Sequence, residues 1–96
     1  MPAYVVALVD MKDEETFRAY QAVAGDLFAA YGAKFLTRGD SHCVFEGPDE
    51  PRTCVLVEFP SVEKATAFWN SPEYQAAIKI REGAAQMQIL VMDGAP

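Results

Sequence analysis

Four side chains in the middle of this chain have the chemistry of a small-molecule site: Arg38, His42, Glu46 and Glu58. Arginine presents a rigid fork of donors that fits a carboxylate, and a neighbouring glutamate can orient it. A second carboxylate, or His42, becomes a general base when burial tunes its pKa. With strict alternation through the strands described below, all four fall on one sheet face. The chemistry expected is binding of a small organic acid or polar metabolite. The plainer reading, and the favoured one, is that Arg38 only pairs with Glu58 or Glu46, because structural ion pairs mimic active sites. His42 is the single histidine, and without a second ligand nearby it suits an ordinary hydrogen bond better than a metal or haem iron. No cofactor and no metal is expected. The GxSxG, HExxH and CxxC patterns and a Gly-rich phosphate loop are all missing, so triad hydrolysis, zinc proteolysis and phosphoryl transfer have no support.

Elements of regular structure must position these residues. Residues 3–10 (AYVVALVD) form a Val-rich apolar run that predicts a buried strand. Asp13 stands at an N-cap position, with Glu14 and Glu15 following it. Phe17, Tyr20, Ala24, Leu27, Phe28 and Tyr31 then recur at helical spacing up to Gly32, which suits a C′ position. Residues 33–38 (AKFLTR) predict a strand, Gly39-Asp40 a turn or bulge, and residues 42–46 (HCVFE) a continuation of that strand. A loop with Gly47, Pro48 and Pro51 precedes the strand expected at 53–59 (TCVLVEF). Ser61 caps a helix reaching about Trp69. Ser71-Pro72 starts another that ends near Gly83, and residues 86–93 (QMQILVMD) make the last strand. Trp69, Tyr74, Tyr20 and Tyr31 suit anchoring of helices on the sheet. Trp69 and Tyr74 could instead close a pocket mouth.

This order is the ferredoxin-like βαββαβ plan, an α+β fold with an antiparallel sheet covered by helices on one face. Residues 1–96 make a single domain without repeats or linkers. Alternation puts Val5, Ala7, Val9, Phe35, Cys43, Phe45, Val55, Val57, Phe59, Met87, Ile89 and Val91 under the helices. The other face carries Val6, Leu8, Leu36, Val44, Leu56 and Leu90 among polar residues. Such a face is too apolar for plain surface, and a symmetric homodimer is expected to cover it. Cys43 and Cys54 point to opposite faces in this assignment and cannot pair.

Composition narrows the partners. Eight Lys and Arg against fourteen Asp and Glu give a net charge of −6, and the basic residues are scattered singly. Nucleic acid and anionic membrane are therefore not expected as partners. No apolar stretch is long enough to span a membrane, and the first residues lack the basic region of a secretory signal, so a cytoplasmic location is expected.

The strings Ala-Tyr-Gly-Ala-Lys-Phe-Leu-Thr-Arg-Gly (30–39), Phe-Glu-Gly (45–47), Val-Glu-Phe-Pro-Ser (57–61) and Trp-Asn-Ser-Pro-Glu-Tyr-Gln (69–75) resemble the domain-of-unknown-function 1330 family over nearly the whole chain. The resemblance implies a ferredoxin-like subunit forming a dimeric α+β barrel. It also implies an arginine at the Arg38 position and acidic residues at Glu46 and Glu58. Asp40 stands where the family commonly has glycine, Asn70 where it commonly has tyrosine, and His42 lies outside the pattern. The wider superfamily of such dimers includes cofactor-independent monooxygenases, isomerases and haem-handling enzymes. Two alternatives to a ligand-binding pocket at the dimer interface follow: a cofactor-independent monooxygenase or isomerase, and a dimerisation module without a ligand.

Overall fold

The computed structural model describes residues 1–39 and 41–96, so Asp40 and its expected role in the turn lie outside the described residues. Strand β1 spans Ala3–Met11, helix α1 Glu14–Ala30, β2 Lys34–Thr37, β3 Thr53–Phe59, α2 Val62–Asn70, α3 Pro72–Ile80 and β4 Ala85–Asp93. The strands form one open sheet in the order β2-β3-β1-β4, and every neighbouring pair is antiparallel. This is the ferredoxin-like α+β arrangement. No helix is long and apolar enough to cross a membrane among the described residues.

Local chemistry sets the element ends. Asp13 caps α1, accepting from the Thr16 backbone N–H at 3.2 Å and the Thr16 hydroxyl at 2.7 Å. These two bonds hold its carboxyl below the usual range. At the other end Gly32 takes φ 76°, and the N–H groups of Gly32 and Ala33 return to the carbonyls of Ala29 and Phe28, both at 3.0 Å. That is the Schellman closure, and it is why the chain leaves α1 toward β2. Ser71 serves two helices. Its hydroxyl donates to the Phe68 carbonyl at 2.8 Å and accepts from the Tyr74 N–H at 3.2 Å. Pro72 follows at the first helical position, where no N–H is needed.

The core lies between the helices and one sheet face. Val9, Val57 and Phe59 from the strands meet Phe17, Tyr20, Ala24, Ala65, Phe68, Tyr74 and Ala77 from the helices. Val5, Ala7, Phe35, Val55 and Met87 pack against them, as alternation predicts. Cys43 and Phe45 do not. Residues 42–46 form no strand, and Phe45 is 98% exposed. The β-forming types are present there, yet a continuation of β2 would need a partner ahead of Thr53, where β3 begins, and the residues before Thr53 form no strand. The segment instead enters a loop bent at Gly47 (φ 102°) and bounded by Pro48 and Pro51.

The register of β2 carries a second departure. Phe35 opposes Val57, but Thr37 opposes Leu56, so Leu36 is an additional residue bulging from the ladder. One inserted residue inverts the alternation beyond it. Gly39 continues the distortion with φ 81°, and a Cβ there would stand 2.4 Å from Thr53 Cγ2.

Candidate functional site

A cavity lies under the helices. Its volume is about 660 Å³, and its walls come from β1, β3, β2 and β4 below and from all three helices above. The reason is the seating of α1, which packs chiefly on α3 and makes few contacts with the strands. Small residues keep the gap open: Ala24 and Gly25 on α1, Ala65 and Thr66 on α2, Ala7 on β1. A Cβ built on Gly25 meets nothing within 4 Å. The volume falls within the span of about 300–1,000 Å³ usual for ligand pockets. A sealed dry void of this size would cost on the order of 16 kcal/mol at ~24 cal/mol per Å³, as much as a domain's whole stability. The space is therefore an open cleft that water or a ligand fills.

Its lining is aromatic and aliphatic: Phe17, Tyr20, Phe28, Phe35, Phe59, Phe68, Trp69 and Tyr74 supply rings, with Val5, Val9, Val55 and Met87 between them. Among the described residues Arg38 is the only charged side chain in the lining. Its guanidinium carbon lies 4.6 Å from the Phe35 ring centroid. The Leu36 bulge explains this position. Strict alternation predicts Arg38 on the uncovered face with Lys34 and Leu36, whereas the bulge returns it to the side of Phe35 and Val55.

The other three expected site residues lie elsewhere. Glu58 is on the uncovered face, opposite Tyr4 on one neighbouring strand and Lys34 on the other. Burial, and then this carboxylate beside it, raise the Tyr4 phenol above its ordinary value. His42 and Glu46 are exposed in the loop. The Nε2 of His42 donates to the Glu50 carbonyl at 2.6 Å. Thus the four residues do not converge on one face. Neither Glu46 nor Glu58 pairs with Arg38 among the described residues, so the ion-pair reading of these groups is not realised either. Cys43 lies exposed in the loop and Cys54 half-buried on β3, both as free thiols.

The strong ion pair is one that alternation did not single out. Glu50 and Arg52 meet through two bonds, Nη2 to Oε1 at 2.7 Å and Nε to Oε2 at 2.8 Å. Arg52 also donates to Gln88 Oε1 on β4 at 3.2 Å. Its hydrogen bonds pull the Glu50 carboxyl down to about 2.

Tyr20 and Tyr74, which suit helix anchors by spacing, Tyr74 with a pocket mouth as its alternative, are buried in the cavity wall, their hydroxyls 2.7 Å apart. Trp69, beside Tyr74 at 5.6 Å between centroids, is part exposed and contributes to the same wall. The signal for the tyrosines was available: a phenol on an apolar helix face needs a hydrogen-bond partner once buried. Among the described residues no three His, Cys, Asp or Glu side chains cluster to hold a metal ion.

A family model described as a domain of unknown function (DUF1330) matches residues 2–95. No curated protein matches the sequence. Several solved structures share the fold. A protein of unknown function from Rhodopseudomonas palustris is 24% identical, with a TM-score of 0.79 over 99% of this chain and 83% of that one. A dimeric ferredoxin-like protein of unknown function from Jannaschia sp. CCS1 is 11% identical, with a TM-score of 0.70 over 98% of this chain and 100% of that one. SnoaB, a cofactor-independent oxygenase from Streptomyces nogalater, is 8% identical, with a TM-score of 0.66 over 99% and 94%.

Proposed function

This chain belongs to the DUF1330 family, a domain of unknown function, and we propose that it binds a largely apolar ring compound bearing one acidic group in the cavity beneath its helices. The observation that carries this reading is the cavity itself: about 660 Å³, walled by aromatic rings, with Arg38 the one charged group of the described lining. Rings on all sides suit a flat hydrophobic body. A single arginine selects a carboxylate or a similar anion. The cavity lies on the helix side of the sheet, so the ligand sits within each subunit and not on the face where two subunits would meet. His42, Glu46 and Glu58 take no direct part in this reading. It requires no metal or cofactor, and a cytoplasmic setting suits it.

The protein acts as a homodimer in this proposal. The sheet face away from the helices exposes Leu36, Leu90 and Met92 and half-exposes Val6, Leu8 and Leu56. Structural neighbours with this fold are described as dimeric. Two such faces meeting would enclose the sheets in a barrel.

Titration with benzoate, 2-naphthoate and anthracene-2-carboxylate by calorimetry tests the ligand class. Affinity is expected to rise with ring number, and Arg38→Gln to lower it about tenfold, the usual worth of a charged hydrogen bond. Absence of heat with all three acids, with the protein folded, would leave the dimerisation module as the better reading. A catalytic reading is favoured by one observation, the hydroxyl pair of Tyr20 and Tyr74 in an apolar wall. Such a site suits a cofactor-independent monooxygenase or isomerase. Oxygen uptake with hydroxynaphthoates distinguishes an oxygenase from a binding protein.

A further inference from the structure

Arg81 is the one buried charged residue among the described residues, with 9% of its surface exposed. It caps the C-terminal end of α3. Its Nε has no hydrogen-bond partner, and no carboxylate pairs with it among the described residues. A buried cation without a counter-charge is costly, and a ring face offsets only part of that cost. The ring is that of Tyr20, whose centroid lies 5.2 Å from the guanidinium carbon.

Tyr20 leads back to the cavity. Its hydroxyl and that of Tyr74 share a 2.7 Å hydrogen bond, and both residues line the wall. Tyr74 is 2% exposed, so this is the deep part of the space, whereas Arg38 is exposed at its edge. Two hydroxyls carry two hydrogens. One is used between them, and the other finds no acceptor among the described residues. Burial and the neighbouring phenol push Tyr20 well above its ordinary value, against a smaller opposing pull from Arg81, so Tyr20 keeps its proton. A spare O–H in an apolar wall, backed by a buried cation with no carboxylate partner among the described residues, favours an oxygen that carries negative charge.

We infer that Tyr20 and Tyr74, with Arg81 behind them as a positioning residue, form an oxygen subsite that takes a phenolic or enolic oxygen of the ligand. This rests on the proposed binding of a ring acid in the same cavity. It narrows the ligand class to hydroxylated or enolised aromatic acids, held by Arg38 at one end and by the phenol pair at the other.

The probes are 6-hydroxy-2-naphthoate and 2-naphthoate, which differ by one oxygen. Wild type is expected to bind the hydroxylated probe about tenfold more tightly. Tyr74→Phe, and separately Tyr20→Phe, are expected to abolish that preference, because each keeps the ring in the wall and removes only the hydroxyl. Arg81→Gln is expected to remove the naphtholate absorption band that the bound probe, its proton released to solvent, shows at a pH where the free probe is still a naphthol. A general loss of packing would weaken both probes alike. If 2-naphthoate binds through Arg38 but the hydroxyl adds nothing, or if the preference survives in both tyrosine variants, the subsite is overturned and the ring-acid proposal stands. If neither probe binds, both fall.

Discussion

Glu50 grips Arg52 through both carboxylate oxygens, and this pair anchors the end of the loop that precedes β3. The Glu50 carboxyl falls from its ordinary 4.5 to about 2, through the side-chain and then the backbone hydrogen bond of Arg52. A folded-state pKa below the unfolded value stabilises the fold above the unfolded pKa and ceases to do so as pH falls through the folded one. The contribution is therefore complete above about pH 4.5 and is lost between there and about pH 2. Arg52→Met should leave a shallower loss of stability over that window, read by urea denaturation at pH 6, 4 and 2.5. Parallel wild-type and variant curves would deny the pair this role. His42, bonded to the Glu50 carbonyl, belongs to the same loop anchor. Its local sequence resembled a base beside two acids, because residue type does not reveal whether a backbone carbonyl will claim the ring.

At the scale of the elements, the cavity depends on α1 standing away from the strands. Ala24 and Gly25 have too little side chain to close the gap. Glycine inside a helix costs about 1 kcal/mol relative to alanine, so its presence here opposes stability. Gly25→Leu removes that helix penalty and projects a side chain where a Cβ meets nothing within 4 Å. The expected result is a Tm equal to or above wild type, together with at least tenfold weaker binding of 2-naphthoate. Weaker binding with a lowered Tm would show damage to the helix and not filling of the space. The edge strand β2 shows the complementary point. Its bulge at Leu36 turns Arg38 toward Phe35 and so supplies the cavity with its cation.

At the scale of the whole molecule, helices protect one sheet face and leave the other uncovered. The uncovered face is apolar along its centre, where Val6 opposes Leu56 and Leu8 opposes Cys54. Leu56→Asp places a charge in the middle of that face, away from the cavity. It is expected to convert a dimer into a folded monomer, measured by light scattering at micromolar concentration. A wild-type protein that is already a monomer at that concentration would refute the homodimer. A second copy of this chain is the cover proposed above for this face.

Most of the fold was determined by the sequence read alone. Asp13, Gly32, Ser61, Ser71 and Pro72 mark helix ends through local hydrogen bonding, and local bonding is what a short window of sequence contains. Apolar spacing placed the strands and the core face, because every such residue must leave water on the same side. What only the tertiary structure decided is non-local. Residues 42–46 have strand-forming types and no neighbour to pair with. Leu36 is one residue too many for its partner strand, and that single insertion moved Arg38 to the opposite face from Glu58. Arg81 stands outside every strand or helix stripe, and its burial against Tyr20 depends on α3 meeting α1. Alternation and helical period report which way a side chain points only while the ladder stays regular. Where it breaks, the pairing partner sets the direction, and that partner is distant in sequence.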